Sequence, residues 1–438
     1  MSDKIKNLAK SRVAETKIEV TPGMFSTAPV KVSPKTGIVM AFFTVLVLLA
    51  FGVYGSPKDV TFQLNEAGTW LSVPEFTVSS GWFSLLLGGI LGFVTLASTV
   101  LTILNRPTPM WLSLFFGLVG ATSLLAWLAA GASVPLPFIL SNAVVLAVPI
   151  ILGALGGVMS ERVGVVNIAI EGQLLTGAFV AAVVGSLTDN LWLGLIAAAI
   201  ASALLSMSLA SLAIKYLVDQ IIIGVLINVL VIGVTNFLYS QWLASDGENA
   251  NFPGTFDIVK IPLLSDIPII GEALFANRVT VYITLLLVPL VWFMLFRTKL
   301  GLRARAVGEH PLAADTVGIN VARTRFWWVT AGGAIAGIGG AALTIGNVGA
   351  FGREMSGGLG FIALAVVILG RWQPFYVAAA ALLFGFAIIM RIWANQVSPG
   401  IPTDFITMVP YLVTLIAVAG FAGKVKPPAA SGQPYSKS

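Results

Sequence analysis

Apolar runs long enough to cross a lipid bilayer recur from Ile38 almost to the end of the chain. An α-helix rises 1.5 Å per residue, so about 20 apolar residues span the ~30 Å of hydrocarbon. Within lipid every backbone N–H and C=O must be paired inside the protein, and continuous runs of this length meet that demand as helices. Twelve such runs can be marked, at 38–54, 83–104, 109–130, 138–159, 163–186, 191–214, 219–240, 279–296, 326–348, 357–370, 374–392 and 404–423. The tenth has only about fourteen residues, short of a full crossing, and is expected to be re-entrant or buried inside the bundle. The expected fold class is all-α: a polytopic transmembrane helix bundle of about 10–12 spans.

Charged residues make up 10% of the chain and hydrophobic ones 57%, whereas a soluble domain is about 25% charged. That shortfall excludes a water-soluble enzyme. There is no cysteine, and His310 is the single histidine, so thiolate and disulfide chemistry are absent and imidazole chemistry nearly so. No cofactor is expected. The net charge of +6 does not point to nucleic acid, which requires basic residues gathered on a folded soluble face. Here they lie between apolar runs and read as an orientation signal. With the amino terminus inside, Arg106, Arg162, Lys215, Arg297, Lys299, Arg303, Arg305, Arg323, Arg325, Arg371 and the basic residues of both tails fall on the cytoplasmic side, 20 of 25 in all. The opposite loops hold five basic and eleven acidic residues.

This parity divides the chain into a cytoplasmic tail over 1–37, additional transmembrane helices over 38–130, a main transmembrane domain over 131–423 and a Pro/Ser-rich tail over 424–438. The composition of the last predicts disorder. The external loop 241–277, with Pro253, Pro262 and Pro268, reads either as an ordered lid or docking surface or as a plain linker.

Polar side chains inside apolar runs are the next signal, because each must face protein or water. Glu171 is the carboxylate that lies well inside one. In GVVNIAIEGQLLTGAF, Asn167 and Glu171 stand four residues apart, which on a helix puts both on one face and lets the amide donate to the carboxylate. This stripe, with Gln173, is a candidate lining of a translocation path, or else a set of struts between helices. Gly224, Asn228, Thr235 and Asn236 form a second stripe close to one helix face, and Asn142 adds a third amide. Uncharged amides suit a neutral, hydrogen-bonding cargo, or interhelical contacts. Gly333 and Gly337, and likewise Gly153 and Gly157, have the spacing that lets helix backbones approach closely. The patches LGALGG (152–157) and AGIGGA (336–341) each precede a run opening on glycine, GVVNIAIEG and GFIALAVVILG. An internal pseudo-repeat is therefore expected, as in transporters built from two halves.

The longest internal polar stretch outside the tails is FRTKLGLRARAVGEHPLAADTVGINVARTRFWW, 296–328. Pro311 suits the first turn of a helix and Gly318 its end, so a short surface helix is expected over 311–317. Arg303, Arg305, Arg323 and Arg325 flank it, and Ala313 and Ala314 offer a low-profile face. It is a candidate docking knuckle for a soluble partner, or a basic loop that only sets topology.

The runs GLRARAVGEHPLAADTVGINV, ERVGVVNIAIEGQLLTGAF and GGLGFIALAVVILGRWQP together resemble the permease subunits of bacterial ABC importers of the branched-chain amino acid and simple-sugar superfamily, most nearly the nucleoside-uptake type. The likeness covers about 138–423. It implies that the loop 303–318 holds the coupling helix, with Arg303, Arg305, Gly308, Glu309, Ala313, Ala314 and Gly318 as the ATPase contact. It also implies ABC ATPase subunits, a second permease subunit, an external substrate-binding lipoprotein, a small-molecule cargo and a place among the lipids of the bacterial cytoplasmic membrane. The chain contains no GxxxxGK[ST] phosphate loop, so on this reading it is not an enzyme and borrows its energy. The alternative is an ion-coupled secondary transporter of twelve spans, which would usually bury several ionisable groups.

Overall fold

The computed structural model describes residues 34–53, 57–65, 73–244, 247–397 and 426–436. Ten of its helices are long and apolar enough to cross a membrane, which makes this a multi-pass membrane protein with an all-α bundle. The run expected at 404–423 lies outside the described residues.

Three helices form the centre: α4 (Leu136–Glu161), α5 (Ile170–Thr188) and α13 (Val321–Leu343). Between about three fifths and four fifths of each span is buried by the rest of the chain. Around them stand α6 (Leu191–Ile214), α7 (Gln220–Leu238), α10 (Val279–Arg297) and α15 (Pro374–Val397), which keep apolar faces turned outward. Exposed Ile222, Leu226, Val229 and Phe237 on α7 need no further explanation in lipid. The centre is tight because glycines meet there. A Cβ on Gly156 would lie 2.5 Å from the Gly332 carbonyl oxygen, and one on Gly340 would lie 2.0 Å from that of Leu174. Gly333 and Gly337 press against Ser206 and Ser202 of α6. The glycine spacing read from the sequence is thus spent on packing α13 against its neighbours.

An amino-terminal unit stands to one side. It comprises α1 (Lys35–Leu46, running on as π-helix to Val53), α2 (Ser80–Ile103), α3 (Met110–Leu128) and a three-stranded sheet. In the sheet β1 (Asp59–Gln63) pairs antiparallel with β2 (Phe76–Ser79) and parallel with β3 (Ser133–Pro135). Val60, Phe62 and Leu125 of this unit pack on Ile139 of α4 and on Met390 and Trp393 of α15.

One face of the bundle carries the knuckle, α11 (Lys299–Glu309) followed by α12 (Pro311–Thr316). The opposite face carries the loop between α7 and α10, with α8 (Gly247–Ala250), β4 (Ile258–Lys260), α9 (Ile270–Phe275) and β5 (Ala276–Arg278), the two strands paired antiparallel. That loop is clipped to the bundle: Phe256 N–H donates to Ile345 O, and the Asn251 amide both accepts from Phe351 N–H and donates to Phe351 O.

The carboxy-terminal residues 426–436 differ from the disorder expected of them. They run as a strap over the knuckle face, where Ala430 N–H donates to Gly308 O, Gly432 N–H to Gly164 O and Arg325 Nη1 to Gln433 O. A Pro/Ser-rich segment is held here by its backbone, which its composition does not report.

Candidate functional site

The helical run expected from 163 begins only at Ile170. Residues 163–169 form a non-helical elbow that side-chain amides of α5 and α7 brace. Gln220 Oε1 accepts from Val166 N–H (2.8 Å). Asn228 Nδ2 donates to Ile168 O (2.8 Å) while its Oδ1 accepts from Gly172 N–H (2.8 Å). Asn167 does not share a helix face with Glu171, because it belongs to the elbow. Its amide pairs with that of Gln173 (3.1 and 3.2 Å), which also donates to Ser206 Oγ (2.8 Å).

Glu171 occupies a junction of two helix starts. The run after α13 is discontinuous: the helix ends in a π-helical turn over Thr344–Val348, residues 349–358 descend without regular structure, and only then does α14 (Leu359–Leu369) begin. Gly360 abuts the Glu171 backbone so closely that a Cβ would lie 2.3 Å from its nitrogen. The Glu171 carboxylate accepts from Ser356 Oγ (2.6 Å), Gly358 N–H (2.9 Å) and Gly360 N–H (2.7 Å). A helix start leaves several N–H groups unpaired and carries partial positive charge. One anion between two such starts therefore compensates both.

The other end of α14 is held by charge of the opposite sign. Arg162, one residue past α4, donates from Nε and Nη2 to Trp372 O (3.2 and 3.0 Å) and from Nη2 to Arg371 O (3.5 Å). Trp372 Nε1 in turn donates to Glu161. At roughly 1.5 Å per residue, α14 covers about 16 Å, half the hydrocarbon thickness, so the short tenth run is a half-helix with an anion at its start and a cation at its end. From the shared junction α14 runs toward the knuckle face, and α5 runs toward the loop that touches Gly185 through Pro253. Two helix, break, helix units, α4 to α5 and α13 to α14, thus meet start to start and point oppositely.

The knuckle is joined to this clamp. Gly308 lies against the Arg162 backbone, where a Cβ would stand 2.2 Å from its carbonyl oxygen. Arg305 lies over the Phe296 ring that Arg162 also covers (5.2 and 5.4 Å). Burial lowers the pKa of Arg162, Glu309 opposes that and Arg305 adds to it, but a guanidinium stays charged at any physiological pH. The Glu309 carboxylate accepts from Ala429 N–H, Arg303 is exposed, and Gly318 has the positive φ (84°) expected of a helix stop. Ala313 is exposed whereas Ala314 is buried with Val307 and Val321. The accessible apolar face is instead Ala313 with Leu312 and Val317, 65% and 75% exposed, two residues that the sequence reading passed over.

Among the other residues singled out, Thr235 and Asn142 donate to carbonyls of their own helices, Val231 O and Phe138 O. Neither joins the junction. The described residues hold no group of three or more metal-ligating side chains; contacts run from the knuckle through Arg162 and α14 to the Glu171 junction.

Residues 139–418 match the family described as branched-chain amino acid transport system / permease component. The guanosine ABC transporter permease protein NupQ of Bacillus subtilis (strain 168) is 40% identical over 318 residues, 69% of this chain and 97% of that protein. The nucleoside ABC transporter permease protein NupC of Lactococcus lactis subsp. cremoris (strain MG1363) is 36% identical over 69% of this chain and 98% of its own length. The putative glucose ABC transporter permease protein TsgC13 of Haloferax volcanii is 35% identical over 59% of this chain and 78% of its own. No solved structure matches the chain. The clamp, the knuckle and the half-helix all fall inside the matched range, α1 to α3 fall before it, and the chain belongs to the permease components of ABC transport systems.

Proposed function

We propose that this chain forms the translocation path of an ATP-driven importer for nucleosides, in the bacterial cytoplasmic membrane, with both termini and the knuckle facing the cytoplasm. Its partners on this reading are ATPase subunits, a second permease copy or homologue, and an external substrate-binding lipoprotein. The orientation rests on charge: Arg162, Lys215, Arg297, Arg303, Arg305 and Arg371 gather on the knuckle side, as the positive-inside rule requires. The nucleoside cargo rests on the similarity to the guanosine and nucleoside permeases.

The observation that carries the mechanism is the contact of Gly308 with Arg162, since it links the knuckle to a half-helix held at both ends. An ATPase that grips Leu312, Ala313 and Val317 moves Arg162 with the knuckle. Arg162 moves the end of α14, and the other end of α14 moves the Glu171 junction. Closely packed interiors switch between discrete arrangements rather than bending, so this linkage converts closure of the nucleotide subunits into opening of a path beside α14. A recess between Lys215 and Leu217 on one side and Asp315, Asn320 and Tyr435 on the other is the place where the partner's surface would seat.

The test is uptake of radiolabelled guanosine by proteoliposomes holding the whole complex. Uptake is expected to need ATP inside and to survive a protonophore. Uptake without ATPase subunits, abolished by the protonophore, would establish the secondary-transporter alternative instead. Leu312→Asp with Val317→Asp is expected to abolish co-purification of the ATPase while membrane insertion stays normal. Undiminished co-purification would remove the knuckle from the interface.

A further inference from the structure

The linkage above leaves one polar cluster unused. Residues 349–358 descend along α7, and they bring Arg353 and Glu354, both exposed, against Asn236 and Tyr239. Asn236 lies 16 residues from the start of α7, roughly 24 Å along a ~30 Å crossing. That places the cluster about 6 Å inside the external boundary, at the outer end of the helix. Asn236 Nδ2 donates to Glu354 Oε1 (3.0 Å), but its Oδ1 is buried and has no partner. An unpaired buried amide oxygen costs about 1–3 kcal/mol, so its retention calls for a reason. Arg353 lies over the Tyr239 ring at 5.2 Å, and Tyr239 opens a π-helical segment, a distortion frequent at functional sites.

The backbone is distorted in the same place. Glu354 has φ of 51°, in the left-handed region that a residue with a side chain adopts only under strain. Gly357 and Gly358 follow with φ of 50° and 84°, and a Cβ on either would meet nothing within 4 Å. The glycines are therefore not there for want of space. They let the chain turn between Glu354 and the start of α14.

We infer that Asn236, Tyr239, Arg353 and Glu354 form a cargo-binding site that recognises a pair of neighbouring hydroxyl groups on a neutral solute. A carboxylate accepts two hydroxyl protons side by side, and the second oxygen of exposed Glu354 is available for this. The unpaired Asn236 Oδ1 accepts a further donor, while the guanidinium of Arg353 donates to hydroxyl or ring oxygens. Ribonucleosides and sugars share the vicinal diol, so both chemistries fit. The inference rests on the importer reading and adds the group that is recognised.

The test compares kcat/KM for ATP-driven uptake by the complete importer in proteoliposomes, for guanosine against 2′,3′-dideoxyguanosine and for glucose against 2,4-dideoxyglucose, in which no two hydroxyls are neighbours. Each variant is assayed with the same external components, so any discrimination they contribute cancels. The wild type is expected to favour the intact diol by about tenfold or more, since a hydrogen bond to a charged group is worth about 1.5–3 kcal/mol. Glu354→Gln keeps an acceptor for Asn236 but removes the charge, and should reduce the preference to about threefold or less. The pair that responds identifies the source of the diol. An equal preference in wild type and Glu354→Gln overturns the site while leaving the importer intact. Absence of ATP-driven uptake of either cargo by the wild type overturns the importer reading itself.

Discussion

Glu171 shows how one residue's role turns on its partners. An ionised acid on an isolated membrane helix costs about 2.5–3.5 kcal/mol to insert, and alone it invites the idea of a coupling group facing a pore. With three donors on its two oxygens it is instead a cap on α14, charge-assisted and stronger than a neutral contact. Glu171→Gln keeps one acceptor but turns an amide N–H₂ toward backbone N–H groups. It is expected to cost about 1–3 kcal/mol, read as a lower thermal midpoint of the purified complex with reduced uptake. Unchanged stability with reduced uptake would return the carboxylate to the path. Gly340→Ala has a different cause, a methyl 2.0 Å from the Leu174 carbonyl oxygen, and should prevent assembly of the centre.

At the scale of elements, the molecule is organised by its breaks. The elbow 163–169 and the crossing 349–358 are non-helical, and side chains such as Gln220, Asn228, Asn251 and Glu171 complete backbone groups left open there, as membrane interiors demand. The carboxy-terminal strap does comparable work on the knuckle face. Its Tyr435 is hydrogen-bonded to Asp315, and burial first, with Asp315 second, raises the phenol above its ordinary value near 10. A raised pKa means that this contact contributes its full stability below pH 10 and loses it as pH climbs through the higher folded value. Strap docking is therefore expected to be constant from pH 6 to 9, measurable by protease protection of the tail, and to weaken only above about pH 10. Deleting 426–438 should loosen the knuckle and reduce coupled ATP hydrolysis without preventing insertion. Normal transport-stimulated hydrolysis in that truncation would show the strap to be incidental.

At the scale of the whole molecule, the amino-terminal unit lies outside the family match, which begins at residue 139, and it meets the rest through Ile139, Met390, Trp393 and their neighbours. Removing it would expose apolar side chains. In water that exposure would be ruinous, but lipid tails are as apolar as the lost partners. A chain beginning at residue 131 is accordingly expected to insert, bind its ATPase and transport. Failure of the truncated chain to assemble would show that α1 to α3 are required by the fold.

Much of this was legible in the residues. The ten crossing helices of the described residues follow from apolar length, because insertion into lipid is decided segment by segment. The segments 161–179, 301–321 and 357–374, on which the resemblance rests, contain the elbow, the knuckle and the half-helix in that order. The shortness of 357–370 set it apart from a full crossing. Tertiary structure alone decided which polar groups meet. Whether Glu171 lines a path or caps a helix depends on Gly360, 189 positions away, and the cluster of Asn236 with Glu354 joins residues 118 apart. Periodicity describes the faces of one helix and is blind to which other chain segment descends against them. For the same reason a tail of disordered composition is ordered here by backbone hydrogen bonds, whose partners no local pattern encodes.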